Sequence, residues 1–118
     1  MMYIGEVAKK TGLSIKAIRL YEEKGLIPKP QRSGRYRVYQ HSDIDILLLI
    51  KEAKSFGVTL AQLKEVIEYN NGEIDWNEVH IFLMQQKKLI LKQIDGLHEK
   101  INKIDVCASQ INTCPLSV

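Results

Sequence analysis

The sequence predicts a mainly α-helical protein, with short helices at the front, a small extended hairpin among them, and one long helix at the back. Three observations carry this. Apolar residues recur at helical spacing in short blocks that open on a Ser or Thr cap or close on Gly. The run Arg32-Ser-Gly-Arg-Tyr-Arg-Val-Tyr39 alternates instead with a period of two. Beyond Asp75, apolar residues recur in steps of three, four and seven, with no Gly or Pro before Gly96.

The first helix begins with Ile4, Val7 and Ala8 and stops at Gly12, a residue suited to a left-handed helix end. Ser14 can cap a second helix whose Ala17, Ile18 and Leu20 pack inward, and Lys24-Gly25 ends it. A short Thr-Gly-Leu-Ser connection between two short helices is a helix-turn-helix signature. Pro28 and Pro30 break helix, and Ser33-Gly34 turns the chain between two short strands of a wing. Ser42-Asp-Ile-Asp45 reads as a capping box opening a third helix to about Ser55. Thr59-Leu-Ala-Gln62 opens a fourth that ends near Asn70-Asn-Gly72. Ile44, Leu47, Leu48, Ile50, Leu60, Leu63, Val66 and Ile67 are enough to close a small core over the first two helices.

Asp75-x-x-Glu78 starts the last helix, whose seam is Val79, Leu83, Ile90, Ile94, Leu97, Ile101 and Ile104, with Gln86 also on it. Gly96 weakens this helix by about 1 kcal/mol. At roughly 30 residues and 1.5 Å per residue it would be about 45 Å long, more than so small a domain can cover. The helix can fold back on its own domain or pair with a second copy. A seam spanning the whole segment favours a homodimer.

The 118 residues suffice for one ordinary domain, or a small domain plus a long helix. A hydrophobic fraction of 45% and a charged fraction of 26% exclude a disordered chain. Charge is unevenly placed. Residues 1–54 carry 11 Lys/Arg against 6 Asp/Glu, and residues 55–118 carry 6 against 8. The front half is therefore the nucleic-acid candidate. No apolar run approaches membrane-spanning length and the N-terminus lacks a signal peptide's pattern, so no membrane partner and a cytoplasmic location are expected. Nucleophile–base constellations, phosphate loops and clustered carboxylates are missing, and the three His are scattered, which argues against an enzyme.

Ile4-Gly-Glu-Val-Ala8, Thr11-Gly-Leu-Ser14, Ile18-Arg-Leu-Tyr-Glu-Glu-Lys-Gly-Leu26 and Arg35-Tyr-Arg-Val-Tyr39 together resemble the mercury-resistance regulator (MerR) family, closely from residue 3 to about 70 and by pattern beyond. The resemblance implies a winged helix-turn-helix domain (1–72), a long antiparallel coiled-coil dimerisation helix (73–105) and a C-terminal effector loop (106–118). It implies a homodimer on double-stranded promoter DNA, with the second helix in the major groove and the wing along the backbone. Such a dimer distorts the duplex so that RNA polymerase can engage. By position, Ser14, Lys16, Arg19 and Tyr21 would be helix contacts, and Arg32, Arg35, Tyr36, Arg37 and Tyr39 wing contacts. Their chemistry agrees. Arg19 can grip phosphate or guanine with two hydrogen bonds, Ser14 sits at a helix N-terminus, and Tyr hydroxyls can donate to phosphate. Each has a plainer reading as well. Tyr21 and Tyr36 can be core residues with a satisfied hydroxyl. Arg37 can pair with Glu22 or Glu23, and Lys51 and Lys54 suit a merely solvated face.

Cys107 and Cys114-Pro-Leu resemble the inducer loop of the family's metal-sensing, copper-type branch. Two thiolates suit a soft ion, and a low-coordinate site disfavours Zn(II). Members that sense divalent ions add a Cys near the start of the dimer helix. Here Ile74-Asp-Trp-Asn-Glu-Val79 has none, which implies a monovalent inducer: Cu(I), Ag(I) or Au(I). His80 lies nearby and could serve as a third ligand, but a lone His at a helix start is more often a surface residue. The segment from Leu97 to Cys107 is about one turn shorter than in copper-sensing members, and few residues follow Cys114. Rival readings are a regulator answering thiol oxidation or electrophiles, one with an unknown inducer and inert cysteines, and a small metal-storage or adaptor protein. The cations Lys16, Arg19, Arg32, Arg35 and Arg37 count against the last of these.

Overall fold

The computed structural model describes residues 2–67, 69–70 and 73–113. The chain forms two compact units, Met1–Trp76 and Asn77–Val118. In the first, a short strand β1 (Met2–Tyr3) leads into α1 (Ile4–Thr11) and α2 (Ile15–Glu23). The hairpin strands β2 (Gln31–Ser33) and β3 (Tyr36–Tyr39) follow, then α3 (His41–Ser55), α4 (Leu60–Val66) and a second ribbon, β4 (Tyr69–Asn70) with β5 (Glu73–Ile74). The long helix α5 runs Trp76–Thr113.

Local chemistry sets the first helices as expected. Gly12 takes the left-handed conformation, φ 74°, and its N–H bonds back to Ala8. The Thr11 hydroxyl donates to the Val7 carbonyl at 2.8 Å and accepts the Leu13 N–H at 3.2 Å, which stiffens the turn. Ser14 Oγ accepts the Ala17 N–H at 3.0 Å, capping α2. The α4 capping box forms both ways. Thr59 Oγ1 accepts the Gln62 N–H at 3.2 Å, and Gln62 Oε1 accepts the Thr59 N–H at 2.9 Å.

Four expectations are corrected. Helix α3 starts at His41 rather than Ser42, and its cap is Asp43 Oδ2 accepting the Gln40 N–H at 2.9 Å. The wing is not a lone hairpin, because β1 pairs antiparallel with β3, Met2 opposite Tyr39, giving the order β1-β3-β2. Helix α4 ends at Val66, and the chain then forms the β4–β5 ribbon. Helix α5 continues eight residues past 105, so Cys107 is helical; no Gly or Pro lies between Gly96 and Pro115 to stop it.

The core of the first unit is Val7, Ile18, Tyr21, Leu26, Ile27, Val38, Tyr39, Leu47, Ile50 and Leu63, all buried. Leu20 and Leu48, expected inside, are exposed, while Ile46, Ala53 and Val58 are buried. On α5, Val79 is buried and Leu83 half-buried. Ile90, Ile94, Leu97, Ile101 and Ile104 are open, from 40% exposed at Ile90 to 65% at Ile104, and Ile111 continues the seven-residue step.

Candidate nucleic-acid interface

Helix α2 and the hairpin β2–β3 present five basic residues, Lys16, Arg19, Arg32, Arg35 and Arg37. On α2 the capped N-terminus is followed by exposed Ile15, Lys16 and Arg19. Arg32 and Arg35 are exposed on the hairpin, where Gly34, φ 65°, makes the turn that only a residue without Cβ adopts readily. Arg32 lies opposite Arg37 across the ladder and Ser33 opposite Tyr36. Tyr36 is 61% exposed, and its ring meets that of Tyr3 edge to face at 5.7 Å. The added strand β1 thus props the wing from behind.

Between α2 and the hairpin lies an open cleft of about 530 Å³ lined by Arg19, Glu22, Glu23, Lys29 and Arg37. Three cations edging a cleft that also holds two carboxylates make a place for an anionic chain to lie along. Arg37 is half-buried, and its Nε donates to Glu22 Oε1 at 3.2 Å, as an ion pair. Tyr39 is wholly buried, and its hydroxyl donates to Glu22 Oε2 at 3.1 Å. Burial, then the negative charge of Glu22 and its hydrogen bond, push the Tyr39 hydroxyl up to about 12, with Arg37 and Arg19 pulling it back. Tyr39 is therefore held as a neutral donor.

Of the residues expected to contact DNA, Ser14, Lys16, Arg19, Arg32, Arg35 and Tyr36 are exposed, and Arg37 is partly so. Tyr21 and Tyr39 are not. Tyr21 is a core residue, and Lys54 Nζ reaches its hydroxyl at 3.5 Å and lies 5.8 Å from its ring centre. Both tyrosines form the frame behind the surface, because the sheet end and α2 close over the hydrophobic core. Lys51 is likewise structural: its Nζ donates to the Thr11 carbonyl at 2.9 Å, capping α1.

Sequence reasoning passed over Lys29, Glu22 as the centre of a junction, and Ile15. The Lys29 signal was its place between Pro28 and Pro30, which tie it to the start of the hairpin. A second cleft, of about 440 Å³, has the opposite sign, with Asp43, Asp45 and Glu73 beside Trp76. It does not suit a phosphate backbone.

For a metal ion, Cys107 offers an exposed thiol on α5, and Cys114 lies outside the described residues. Among the described residues no three His, Cys, Asp or Glu come together as ligands.

The family model for MerR HTH family regulatory proteins matches residues 2–70. The transcriptional regulator CueR of Salmonella typhi is 33% identical over 119 aligned residues, covering 97% of this chain and 82% of that protein. CueR of Escherichia coli O6:H1 is 32% identical, covering 97% and 84%. Among solved structures, MtaN, the N-terminus of the Bacillus subtilis multidrug transporter activator, superposes with a TM-score of 0.65 at 26% identity, over 92% of this chain and 98% of that one. PbrR691 of Ralstonia metallidurans CH34, solved in complex with lead(II), gives 0.53 at 27% identity, over 89% and 86%. No helix among the described residues is long and apolar enough to cross a membrane. The chain belongs to the MerR HTH family: it is a transcriptional regulator and not an enzyme.

Proposed function

We propose that the protein is a cytoplasmic homodimer that binds double-stranded promoter DNA, distorts it so that RNA polymerase can engage, and does so in response to a soft monovalent metal ion. In this reading residues 1–72 hold DNA, 73–105 dimerise and 106–118 sense the inducer. The observation that carries it is the shared cleft: Arg19 and Arg37, from the second helix and the wing, line one groove, with Lys29 beside them. Ser14 and Lys16 at the start of α2, and Arg32, Arg35 and Tyr36 on the hairpin, extend that surface at both ends. Bending a duplex costs on the order of several kcal/mol, which these phosphate contacts offset.

The open stripe Ile90, Ile94, Leu97, Ile101 and Ile104 supports dimerisation, since a row of exposed apolar residues on one helix is costly in water. Cys107 and Cys114 would hold the ion, Cu(I), Ag(I) or Au(I). A bound ion favours whichever dimer conformation binds it more tightly, and that difference is the whole of its leverage. The lead(II) complex of PbrR691 supports a metal inducer in general. The exposed Cys107 thiol also suits attack by an oxidant or electrophile, which is the competing reading.

Two measurements test the proposal. Arg19→Ala should weaken duplex binding and lower the salt slope by about one unit; an unchanged slope removes Arg19 from the interface. Cys107→Ser and Cys114→Ser should each abolish transcriptional induction by Cu(I) while leaving duplex affinity nearly intact. Normal induction in both variants excludes the metal-thiolate inducer. Induction by peroxide but not by Cu(I) in the parent protein assigns the thiols to redox sensing.

A further inference from the structure

We propose that Glu22 is a positioning residue for duplex recognition, one carboxylate that ties α2 to the wing and sets the guanidinium of Arg37. The proposal rests on the DNA-binding reading above. Glu22 stands in the last turn of α2, and its partners lie 15 and 17 positions away on β3. Each of its oxygens takes one of them: Oε1 the Arg37 Nε at 3.2 Å, Oε2 the Tyr39 hydroxyl at 3.1 Å. Its side chain is only 13% exposed, so both bonds are shielded from water on at least one side.

The geometry divides the labour. Tyr39 is a fixed post, fully buried and paired in the sheet with Met2, so the carboxylate it holds cannot swing. The fixed carboxylate in turn engages only the Nε of Arg37, whose side chain keeps 33% of its exposure. Among the described residues no partner holds the two terminal amino groups of the guanidinium, which are left for a phosphate, with its plane already set. Rotamer freedom that a flexible Arg would lose on binding is lost in advance.

Charge argues that this role is specific. A carboxylate in a cleft edged by Arg19, Lys29 and Arg37 repels the phosphates that the cations attract. If the cleft served attraction alone, Glu22 would be a defect. As a tie between helix and wing it lowers affinity for any duplex while favouring one in which both surfaces fit at the same angle. Glu22→Gln separates the two effects, because it keeps size and one acceptor but removes the charge.

The experiment uses the full chain. A preferred duplex is first selected by the unaltered protein from a random-sequence pool. Dissociation constants for that duplex and for a random-sequence duplex are then measured at several salt concentrations, for Glu22→Gln, Arg37→Lys and the double variant. We expect Glu22→Gln to bind the random duplex more tightly and the selected duplex more weakly, so that their ratio falls about tenfold, the worth of one charge-assisted hydrogen bond. Arg37→Lys should lower the same ratio, and the double variant should be no worse than the poorer single one. Equal tightening on both duplexes would show that Glu22 only repels DNA. Equal weakening with a lower melting temperature would show a general folding role, and additive losses would show that it does not act through Arg37. Any of these overturns the proposal, as does a parent protein that binds duplexes without selecting a sequence. A parent protein that ignores every duplex in dilute salt refutes the DNA-binding reading itself.

Discussion

Gly12 and Lys51 should be energetically coupled, and a double-mutant cycle measures the coupling. Gly12 adopts φ 74°, where an L side chain is strained by about 1–2 kcal/mol. A Cβ there would also lie 2.7 Å from Lys51 Nζ, too close for any real contact. That nitrogen is the end of a flexible side chain, so it will move, and in moving it gives up its 2.9 Å bond to the Thr11 carbonyl. A charged donor on the last carbonyls of a helix contributes about 1 kcal/mol. Gly12→Ala should therefore cost about 2–3 kcal/mol and Lys51→Met about 1 kcal/mol. Together they should cost about 2–3 kcal/mol rather than 3–4, because the contact is lost only once. Urea unfolding followed by circular dichroism, at one fixed protein concentration so that self-association does not enter, gives all four corners. Costs that add to within about 0.5 kcal/mol would refute the argument that the methyl group acts by displacing Lys51.

Further outcomes follow from other parts of the molecule. Leu97→Glu places a charge in the middle of the exposed α5 stripe, at a residue 57% exposed in the single chain, and should give a monomer by sedimentation. An unaltered dimer would remove that stripe as the seam. Burial raises the Asp43 carboxyl above its ordinary value, against the opposing pull of the Gln40 N–H. Its contribution to stability is thus complete below the ordinary carboxylate range and is lost as pH rises through the raised value. Asp43→Asn keeps an acceptor for Gln40 but does not titrate. The stability of the variant relative to the parent should therefore grow across that window, in urea midpoints taken from about pH 3 to pH 7, and then level off. A difference that shrinks with pH contradicts the burial of this carboxylate.

The sequence was most legible where structure is decided within one turn. Gly12, Ser14, and Thr59 with Gln62 each act on a backbone group four residues away or closer, and each was readable. The α3 cap was misplaced by a short step because Ser42-Asp-Ile-Asp45 has the usual cap residues, whereas Gln40 is not one of them, though its N–H is held by Asp43 and its carbonyl accepts the Asp43 N–H. Strands β1, β4 and β5 have two residues each, too few for any alternation to show. The wing residues were identified as chemistry but not as geometry. Period-two reasoning puts Arg35, Arg37 and Tyr39 on one face, yet exposure falls steadily along β3 as the strand dives into the core. That gradient depends on α1 and α2 packing over its end, information that a single strand does not contain. The same holds for Glu22, whose two partners meet it only once helix and sheet have come together.

The pairing of Met2 with Tyr39 makes the front of the chain an edge of the very sheet that carries the wing. A fluorophore or affinity tag fused ahead of Met2 would emerge beside Tyr3 and its neighbour Tyr36, within reach of whatever the hairpin touches. Labels placed there report on occupancy of that surface and also obstruct it. A neutral handle belongs elsewhere.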